Sequence, residues 1–229
     1  MTPRSTYRVQ LSSAFTFDDA AACVPYLAAL GISHLYCSPI LQAAAGSTHG
    51  YDVVDPTRIG EDLGGAAAFR RLVDALARHS MGLILDIVPN HMATSGRANP
   101  WWWDLLTNGP SSRYAGYFDI DWDPATSTIK DKVWLGVLRD RYGRELDSGA
   151  LTLQRDGNDV VVRYHDQEFP ISPGSLDGAS PDEVQRDVDA FDALLQRQHY
   201  RLAYWRSAQE EINYRRFFTI DTLIGLRVE

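Results

Sequence analysis

Cysteine is scarce in this sequence, and the two cysteines, Cys23 and Cys37, have no metal-ligand spacing around them. This excludes a disulfide framework or a zinc knuckle and favours reduced, intracellular thiols. Basic residues are also few, because 22 Lys and Arg stand against 30 Asp and Glu, giving a formal charge of -8. Such a chain repels phosphate backbones and anionic lipid, so no nucleic-acid or membrane partner is expected. No cofactor and no metal site is predicted.

The amino terminus lacks the apolar core and the small-residue cleavage site of a secretory signal, which predicts a cytoplasmic protein. One stretch without any charged residue, from Ala20 to Tyr51, exceeds the length of a membrane helix. However, Pro25, Gly31 and Pro39 interrupt it, and its apolar spacing changes from helical to strand-like along the way. We therefore interpret this stretch as the buried interior of a globular protein.

The first 91 residues alternate between strand and helix patterns. Strands are predicted over residues 7–11, 34–38 and 82–88, and helices over residues 16–30 and around Phe69, Leu72, Val73 and Leu76. A loop rich in Gly, Ala and Ser leads through Tyr51 to Pro56, between the second strand and the second helix. The third run, GLILDIV, is typical of a parallel strand that is covered on both faces.

This rhythm ends after His91. Residues 92–179 are interpreted as an inserted subdomain with a β-hairpin around Asp156 and Gly157, and residues 180–229 as a helical return towards the barrel. A capping box at Ser180 and Glu183 predicts a long helix there. In the insertion, three consecutive tryptophans at 101–103 suggest a platform for a sugar, but three adjacent indoles cannot share one face. At least one of them is expected in the core.

The order of elements predicts the α/β class and, more narrowly, the N-terminal part of a (β/α)8 TIM barrel with an inserted subdomain after the third strand. Residues 1–91 hold only three strand and helix units, so about five units are missing from a closed barrel. Half a barrel leaves apolar parallel edges unpaired, which is a poor isolated state. We therefore expect a truncated chain whose partner is the missing C-terminal part of the same barrel.

A D-x-x-x-N-H motif, formed by Asp86, Asn90 and His91, follows the third predicted strand. Side chains at the carboxyl ends of barrel strands face the catalytic side of the barrel. The motif alone is weak, because Asp86 can also cap a neighbouring backbone and His91 can be an ordinary loop histidine. We therefore take these residues as candidate site residues that need a second signal.

The second signal is the segment STHGYDVVDP, which brings His49, Tyr51 and Asp52 to the same mouth of the predicted barrel. An aromatic face beside hydrogen-bonding groups is what a sugar ring requires of its binding site. Simple loop packing of Tyr51 is the plain alternative.

The sequence HGYDVVD, followed by DIVPNH, resembles the alpha-amylase superfamily of glycoside hydrolases and transglycosylases. Longer blocks cover nearly the whole chain and resemble one family within it, the maltooligosyltrehalose synthases: YRVQLSSAFTFDDAAACVPYLAALGISHLYCSPIL, NPWWWDLLTNGPSSRYAGYFDIDW and HYRLAYWRSAQEEINYRRFF. The resemblance implies that Tyr51 stacks under the glucose in the reacting subsite and that His91 hydrogen-bonds its hydroxymethyl group at the transition state. Asp86 would orient an Arg near the nucleophile, and Asn90 is a cation ligand in calcium-dependent relatives.

The resemblance also implies a reaction, the intramolecular transglycosylation of the reducing end of maltooligosaccharides in trehalose biosynthesis. The substrate would be an α-1,4-glucan, and the enzyme a (1→4)-α-D-glucan 1-α-D-glucosylmutase of the retaining type. Its nucleophile and its acid/base would lie on later strands, so this fragment is expected to be inactive alone. An α-amylase or a 4-α-glucanotransferase is the alternative within the class, and a noncatalytic glucan-binding module is the alternative from another class.

The segment GLRVE at residues 225–229 imitates the nucleophile signature of the superfamily, with Glu229 in place of Asp. Similar GLRVE segments in the synthases precede a separate Asp motif. We therefore expect Arg227 and Glu229 to be structural or charge-network residues.

Overall fold

The three apolar runs near the amino terminus form one parallel sheet. The structure is a computed structural model and describes residues 2–124, 130–157, 159–207 and 212–227. Its elements up to residue 93 are β1 (Thr6–Val9), α1 (Phe17–Ala29), β2 (His34–Cys37), β3 (Leu41–Ala43), β4 (Val53–Ile59), a 3-10 turn (Glu61–Leu63), α2 (Gly65–Arg78), β5 (Gly82–Leu85) and β6 (His91–Ala93). The sheet order is β1-β2-β5, so β2 lies in the centre. These elements make up the compact unit Met1–Ala93, and Thr94–Glu229 forms a second compact unit.

The core of the first unit is formed by the two helices and one face of the sheet. Thr16 caps the N-terminus of helix α1. Its N–H and hydroxyl both donate to the Asp19 carboxylate, at 2.8 and 2.7 Å, as the capping pattern predicts. Phe17 of α1 meets Phe69 of α2 edge to face, with ring centroids 5.3 Å apart. Since Leu35 and Leu72 are fully buried in the same cluster, the helices hold the sheet on this side and leave its other face for polar side chains.

Two sequence predictions in this unit are corrected. The segment predicted as a loop through Tyr51 to Pro56 contains β4, which pairs antiparallel with β3 and has two irregularities of register. These irregularities let the strand accommodate Pro56, which the sequence analysis placed at the end of a loop.

The third predicted strand corresponds to β5, which ends at Leu85 instead of residue 88. One further backbone hydrogen bond, from the Asp86 N–H to the Cys37 carbonyl at 3.0 Å, follows it. The predicted strand is also not covered on both faces, since Leu85 is 37% exposed and Ile87, just after the end of β5, is 68% exposed.

Gly82 is required by its neighbour across the sheet. It pairs with the buried His34, and a Cβ at position 82 would collide with the imidazole ring. We expect Gly82→Ala to lower the free energy of unfolding by about 1–3 kcal/mol, as overpacking does elsewhere. Thermal unfolding of the variant measures this.

Gly143→Ala is the matched control for Gly82→Ala, because nothing lies within 4 Å of the corresponding Cβ position. Gly143 lies in a helix, so its replacement by Ala is expected to be neutral or slightly stabilising. Equal melting temperatures for the two variants would contradict the collision at Gly82.

The second unit is built around short sheets and helices. Its elements are a 3-10 turn (Gly96–Ala98), α3 (Pro100–Asn108), a 3-10 turn (Gly109–Ser111), β7 (Val133–Leu138), α4 (Tyr142–Asp147), β8 (Leu151–Asp156), β9 (Asp159–Tyr164), β10 (Gln167–Pro170), α5 (Pro181–Arg186), α6 (Val188–Gln196), β11 (Tyr200–Tyr204) and β12 (Leu223–Gly225). Strands β8, β9 and β10 form an antiparallel sheet, and β11 pairs parallel with β7. The predicted hairpin around Asp156 and Gly157 is confirmed, with Asp156 opposite Asp159. Trp102 is 2% exposed, so one of the three tryptophans does lie in the core.

The predicted long helix after residue 180 is wrong in its continuity. The capping box at Ser180 and Glu183 is present, but the helix stops at Arg186 and a second helix starts at Val188. Asp187 causes the break, because its carboxylate accepts the N–H groups of Asp189 and Ala190 and caps the second helix. Residues 180–229, which were predicted as a helical return, also contain a strand, since β11 follows α6. Among the described residues, no helix is long and apolar enough to cross a lipid bilayer.

Candidate active site

Asp86 is the centre of a polar cluster at the carboxyl end of the parallel sheet. Its Oδ2 accepts a hydrogen bond from the Tyr51 hydroxyl at 2.6 Å and another from the Tyr36 hydroxyl at 3.2 Å. The Arg8 guanidinium lies 3.8 Å from the same oxygen. A carboxylate held by two hydroxyls and a cation is fixed in position, so Asp86 orients its neighbours.

The register of the sheet explains why these residues meet. Arg8 pairs with Tyr36 across β1 and β2, and Tyr36 pairs with Ile84 across β2 and β5. Residues two apart on a strand share a face, so Asp86 follows Ile84 on the face that the helices leave uncovered. The Arg8 guanidinium also lies over the Tyr36 ring, 5.5 Å from its centroid.

Tyr51 joins the loop before β4 to this cluster through its hydroxyl. The oxygen donates to Asp86 and accepts from Arg8 Nη2 at 3.2 Å. The hydrogen bond to the Asp86 carboxylate raises the pKa of Tyr51 above its usual value, because ionisation would place two negative charges together. The phenol is therefore a neutral, anchored ring, which is the form that suits packing against a sugar.

His49 and Asp52 shape the loop that carries Tyr51. The His49 Nδ1 accepts the Tyr51 N–H at 3.0 Å and lies 3.7 Å from the Asp52 carboxylate. The His49 ring stacks beside the Tyr51 ring with centroids 5.9 Å apart. Asp52 in turn accepts the Ser47 hydroxyl. These contacts are local, so the two residues fix the position of Tyr51 through its backbone and its ring.

His91 binds the backbone of Tyr51, whereas Asp86 and Arg8 bind its hydroxyl. It is 3% exposed, and its Nε2 donates to the Tyr51 carbonyl at 3.0 Å. Its Nδ1 lies 2.8 Å from the side-chain amide of Asn90. Burial lowers the pKa of His91 below its ordinary value, so the ring is neutral near pH 7. All six residues predicted from the sequence thus lie in one connected network.

Sequence reasoning did not identify Arg8, Tyr36 and Gln10 as site residues. Gln10 accepts from Arg8 Nη1 at 3.1 Å and donates to the carbonyls of Thr48 and His49, each at 3.3 Å. It therefore connects β1 to the loop that carries Tyr51. Part of a signal was present, because Arg8 and Gln10 occupy alternate positions of the first predicted strand and Tyr36 lies within the second.

Among the residues that the structure describes, no group of three or more His, Cys, Asp or Glu side chains is placed to hold a metal ion. Of the segment that imitates a nucleophile signature, Glu229 lies outside the described residues. Arg227 donates from Nη2 to the Ile120 carbonyl at 2.9 Å and from its N–H to the Tyr117 carbonyl at 2.9 Å. These contacts are those of a residue that supports the second unit.

Comparison with known proteins extends this picture. Residues 20–142, more than half of the chain, match the catalytic domain of alpha amylase. The chain belongs to the alpha-amylase family. Within it, a maltooligosyltrehalose synthase structure from Arthrobacter ramosus is 43% identical, covers 99% of this chain and superposes with a TM-score of 0.82. A hypothetical maltooligosyl trehalose synthase from Sulfolobus tokodaii is 35% identical with a TM-score of 0.77 over 99% of the chain.

Sequence relatives agree with the structures. A protein of Mycobacterium tuberculosis named as a maltooligosyl trehalose synthase is 44% identical over 98% of this chain. The intracellular maltogenic amylase of Bacillus subtilis is 38% identical over 68% of it. The chain spans 27% of the Mycobacterium protein and 27% of the Arthrobacter structure. It therefore carries part of an alpha-amylase catalytic barrel, and the fold class and family predicted from the sequence are confirmed.

The low pKa of His91 predicts how this alpha-amylase family site responds to acid. The unfolded chain binds the proton near the ordinary pKa of 6.5, whereas the folded chain resists protonation. Below about pH 6.5 the unfolded state therefore holds more protons, and stability falls as the pH falls. We expect the stabilisation due to His91 to be complete above this pH and to be lost below it.

Thermal unfolding of the full-length gene product and of its His91→Gln variant at about pH 7.5 and 5.5 measures this effect. The difference in melting temperature between the wild-type protein and His91→Gln is expected to be smaller at the lower pH than at the higher one, because glutamine does not titrate. Other histidines are present in both proteins and cancel in the comparison. A gap that stays constant would contradict the prediction.

Proposed function

We propose that the full-length protein that contains this chain is a (1→4)-α-D-glucan 1-α-D-glucosylmutase. The observation that carries the proposal is the extent of similarity: the synthases match 98–99% of the chain, whereas the maltogenic amylase matches 68%. The substrate would be the reducing end of a maltooligosaccharide, and the product would be a maltooligosyltrehalose. We place this reaction in the cytoplasm and in trehalose biosynthesis as part of the same proposal.

The proposed chemistry is a double displacement with retention. One carboxylate attacks C1 of the penultimate glucose while a carboxylic acid protonates the leaving oxygen, so the terminal α-1,4 bond breaks and a glycosyl ester forms. The released glucose then attacks through its own anomeric hydroxyl, whose proton returns to the second carboxylate, and an α,α-1,1 bond replaces the ester. No water is consumed. We assign both carboxylates to parts of the protein outside these 229 residues.

The network around Asp86 supports a sugar-binding role. Tyr51 would place its ring against the apolar face of the glucose, since its hydroxyl is fixed by Asp86 and Arg8. We assign His91 to the hydroxymethyl group of the same glucose. In the structure its Nε2–H donates to the Tyr51 carbonyl. A hydrogen bond to the sugar would replace this one, so substrate binding would be coupled to the position of Tyr51.

The number of reducing ends tests the proposal. Incubation of the full-length gene product with maltopentaose should remove one reducing end per turnover, because the product has none. Hydrolysis by an α-amylase would add one reducing end per turnover, and a 4-α-glucanotransferase would leave the number unchanged. Isolation of a pentasaccharide that has the mass of maltopentaose but resists borohydride reduction completes the assay, because the product is a non-reducing isomer of the substrate.

Two other outcomes would replace the proposal. A rise in reducing ends would favour the amylase alternative, which the similarity to the Bacillus enzyme also supports. Binding of maltopentaose without any turnover would favour the noncatalytic glucan-binding module.

A further inference from the structure

A cavity of about 380 Å³ lies within the second unit. Helix α3 contributes Trp103 and Thr107 to its wall, β9 contributes Asp159, and the segment after β10 contributes Ser172 and Ser175. Its volume exceeds that of a single sugar ring and its wall combines an indole with hydroxyl groups, which are the features of a carbohydrate site. None of these residues belongs to the network around Asp86.

The two serines carry the strongest signal. Their hydroxyl oxygens are buried and form no hydrogen bond among the described residues. Buried hydroxyls are normally satisfied, because leaving one unpaired costs free energy. The backbone around them is firmly held, since the Ser172 N–H donates to the Gln198 side chain at 2.7 Å and the Ser175 carbonyl accepts from Arg197 at 2.9 Å. The segment is thus fixed while two of its polar groups lack partners.

The charged residues that line the cavity are one cation and one carboxylate. The Arg97 guanidinium lies over the Trp103 indole, 4.7 Å from the ring centroid. The same guanidinium lies 3.2 Å from Asp156, 3.5 Å from Asp159 and 3.6 Å from Glu168. Of these residues only Arg97 and Asp159 line the cavity, one of each charge, so the wall itself offers neither an anion site nor a cation site. It suits a neutral ligand that presents both an apolar face and several hydroxyls.

We propose that this cavity binds a glucosyl unit of an α-1,4-glucan as a second glucan-binding site. The ring would pack on Trp103, and its hydroxyls would pair with the Ser172 and Ser175 hydroxyls, which are buried without a partner and would turn towards the cavity when the sugar binds. The choice of glucan rests on the proposed function. All the residues that line the site belong to the second unit.

Affinity electrophoresis in gels that contain glycogen tests the site. The full-length gene product is used with Tyr51→Ala as background, which weakens glucan binding at the first unit. The double variant Ser172→Ala, Ser175→Ala is expected to bind glycogen roughly five- to a hundredfold more weakly, through the loss of two hydrogen bonds. Trp103→Ala should also lose binding, whereas Trp101→Ala should keep it, because Trp101 stacks on Tyr114 instead of lining the cavity.

Thermal unfolding separates this role from a structural one. If the hydroxyls lack partners in the folded protein, the double serine variant melts at the same or a higher temperature. A lower melting temperature would mean that buried water satisfies them, and it would overturn the assignment. Unchanged glycogen binding in the serine variant, or no binding in the Tyr51→Ala background, would overturn it as well. The reducing-end assay on the full-length gene product tests the proposed function separately, so a failure of this site and a failure of the proposed function can be told apart.

Discussion

Incubated with maltopentaose, the 229-residue chain alone is expected to change neither the number of reducing ends nor the mass of the sugar. A retaining mechanism needs two carboxyl groups about 5–5.5 Å apart on either side of the bond that breaks. The described site contains two carboxylates. Asp86 already accepts hydrogen bonds from the Tyr51 and Tyr36 hydroxyls, and Asp52 accepts one from the Ser47 hydroxyl. Both carboxylates therefore hold side chains in place, and neither is available to form the glycosyl ester.

The control for this prediction is Glu229→Gln in the same chain. If the wild-type chain shows turnover and the variant shows none, Glu229 is the nucleophile and the interpretation of GLRVE as a structural segment is wrong. Turnover that survives in both would also contradict the prediction and would direct attention to Asp52 and Asp86.

Tyr51→Ala and His91→Ala in the full-length gene product are each expected to lower kcat/KM by roughly ten to a thousandfold. Each variant removes a sugar contact that strengthens in the transition state. His91→Ala also releases the Tyr51 carbonyl, so its effect includes a displaced ring. Steady-state kinetics on maltopentaose measure both values.

Tyr51→Phe is the matched control, since it keeps the ring and removes the hydroxyl that bonds to Asp86 and Arg8. It should lie between wild type and Tyr51→Ala. Wild-type kinetics in Tyr51→Ala and His91→Ala, with unchanged melting temperatures, would mean that these residues are loop packing only.

Local patterns predicted much of the first unit. Apolar runs located β1, β2 and β5, and the capping pair at Thr16 and Asp19 located the start of α1, because each signal depends on residues close together in sequence. The break at Asp187 was missed for the same reason. Val184, Val188 and Phe191 continue one helical spacing across it, and the spacing cannot show that the Asp187 side chain caps a new helix.

The site was predicted in its members but not in its arrangement. Asp86, Tyr51 and His91 were identified from motifs, whereas Arg8 was missed. Its contact with Asp86 depends on the register of three strands whose residues lie 78 positions apart in the sequence. Charge and hydropathy patterns do not encode register between distant strands, so the network became visible only in the structure.

The sequential layout of the first unit has a consequence for synthesis on the ribosome. The main apolar cluster uses residues up to Met81 and the strands β1, β2 and β5 end by Leu85, so these three strands and the two helices are made before the rest of the chain. The order of these strands in the sheet is also their order in the chain, so each strand can pair with a neighbour that has already been made. At roughly 5–20 residues per second, the nascent chain has several seconds to close this unit before the next one is made. Vectorial synthesis therefore favours the observed pairing over any arrangement in which a later strand must separate β1 from β2.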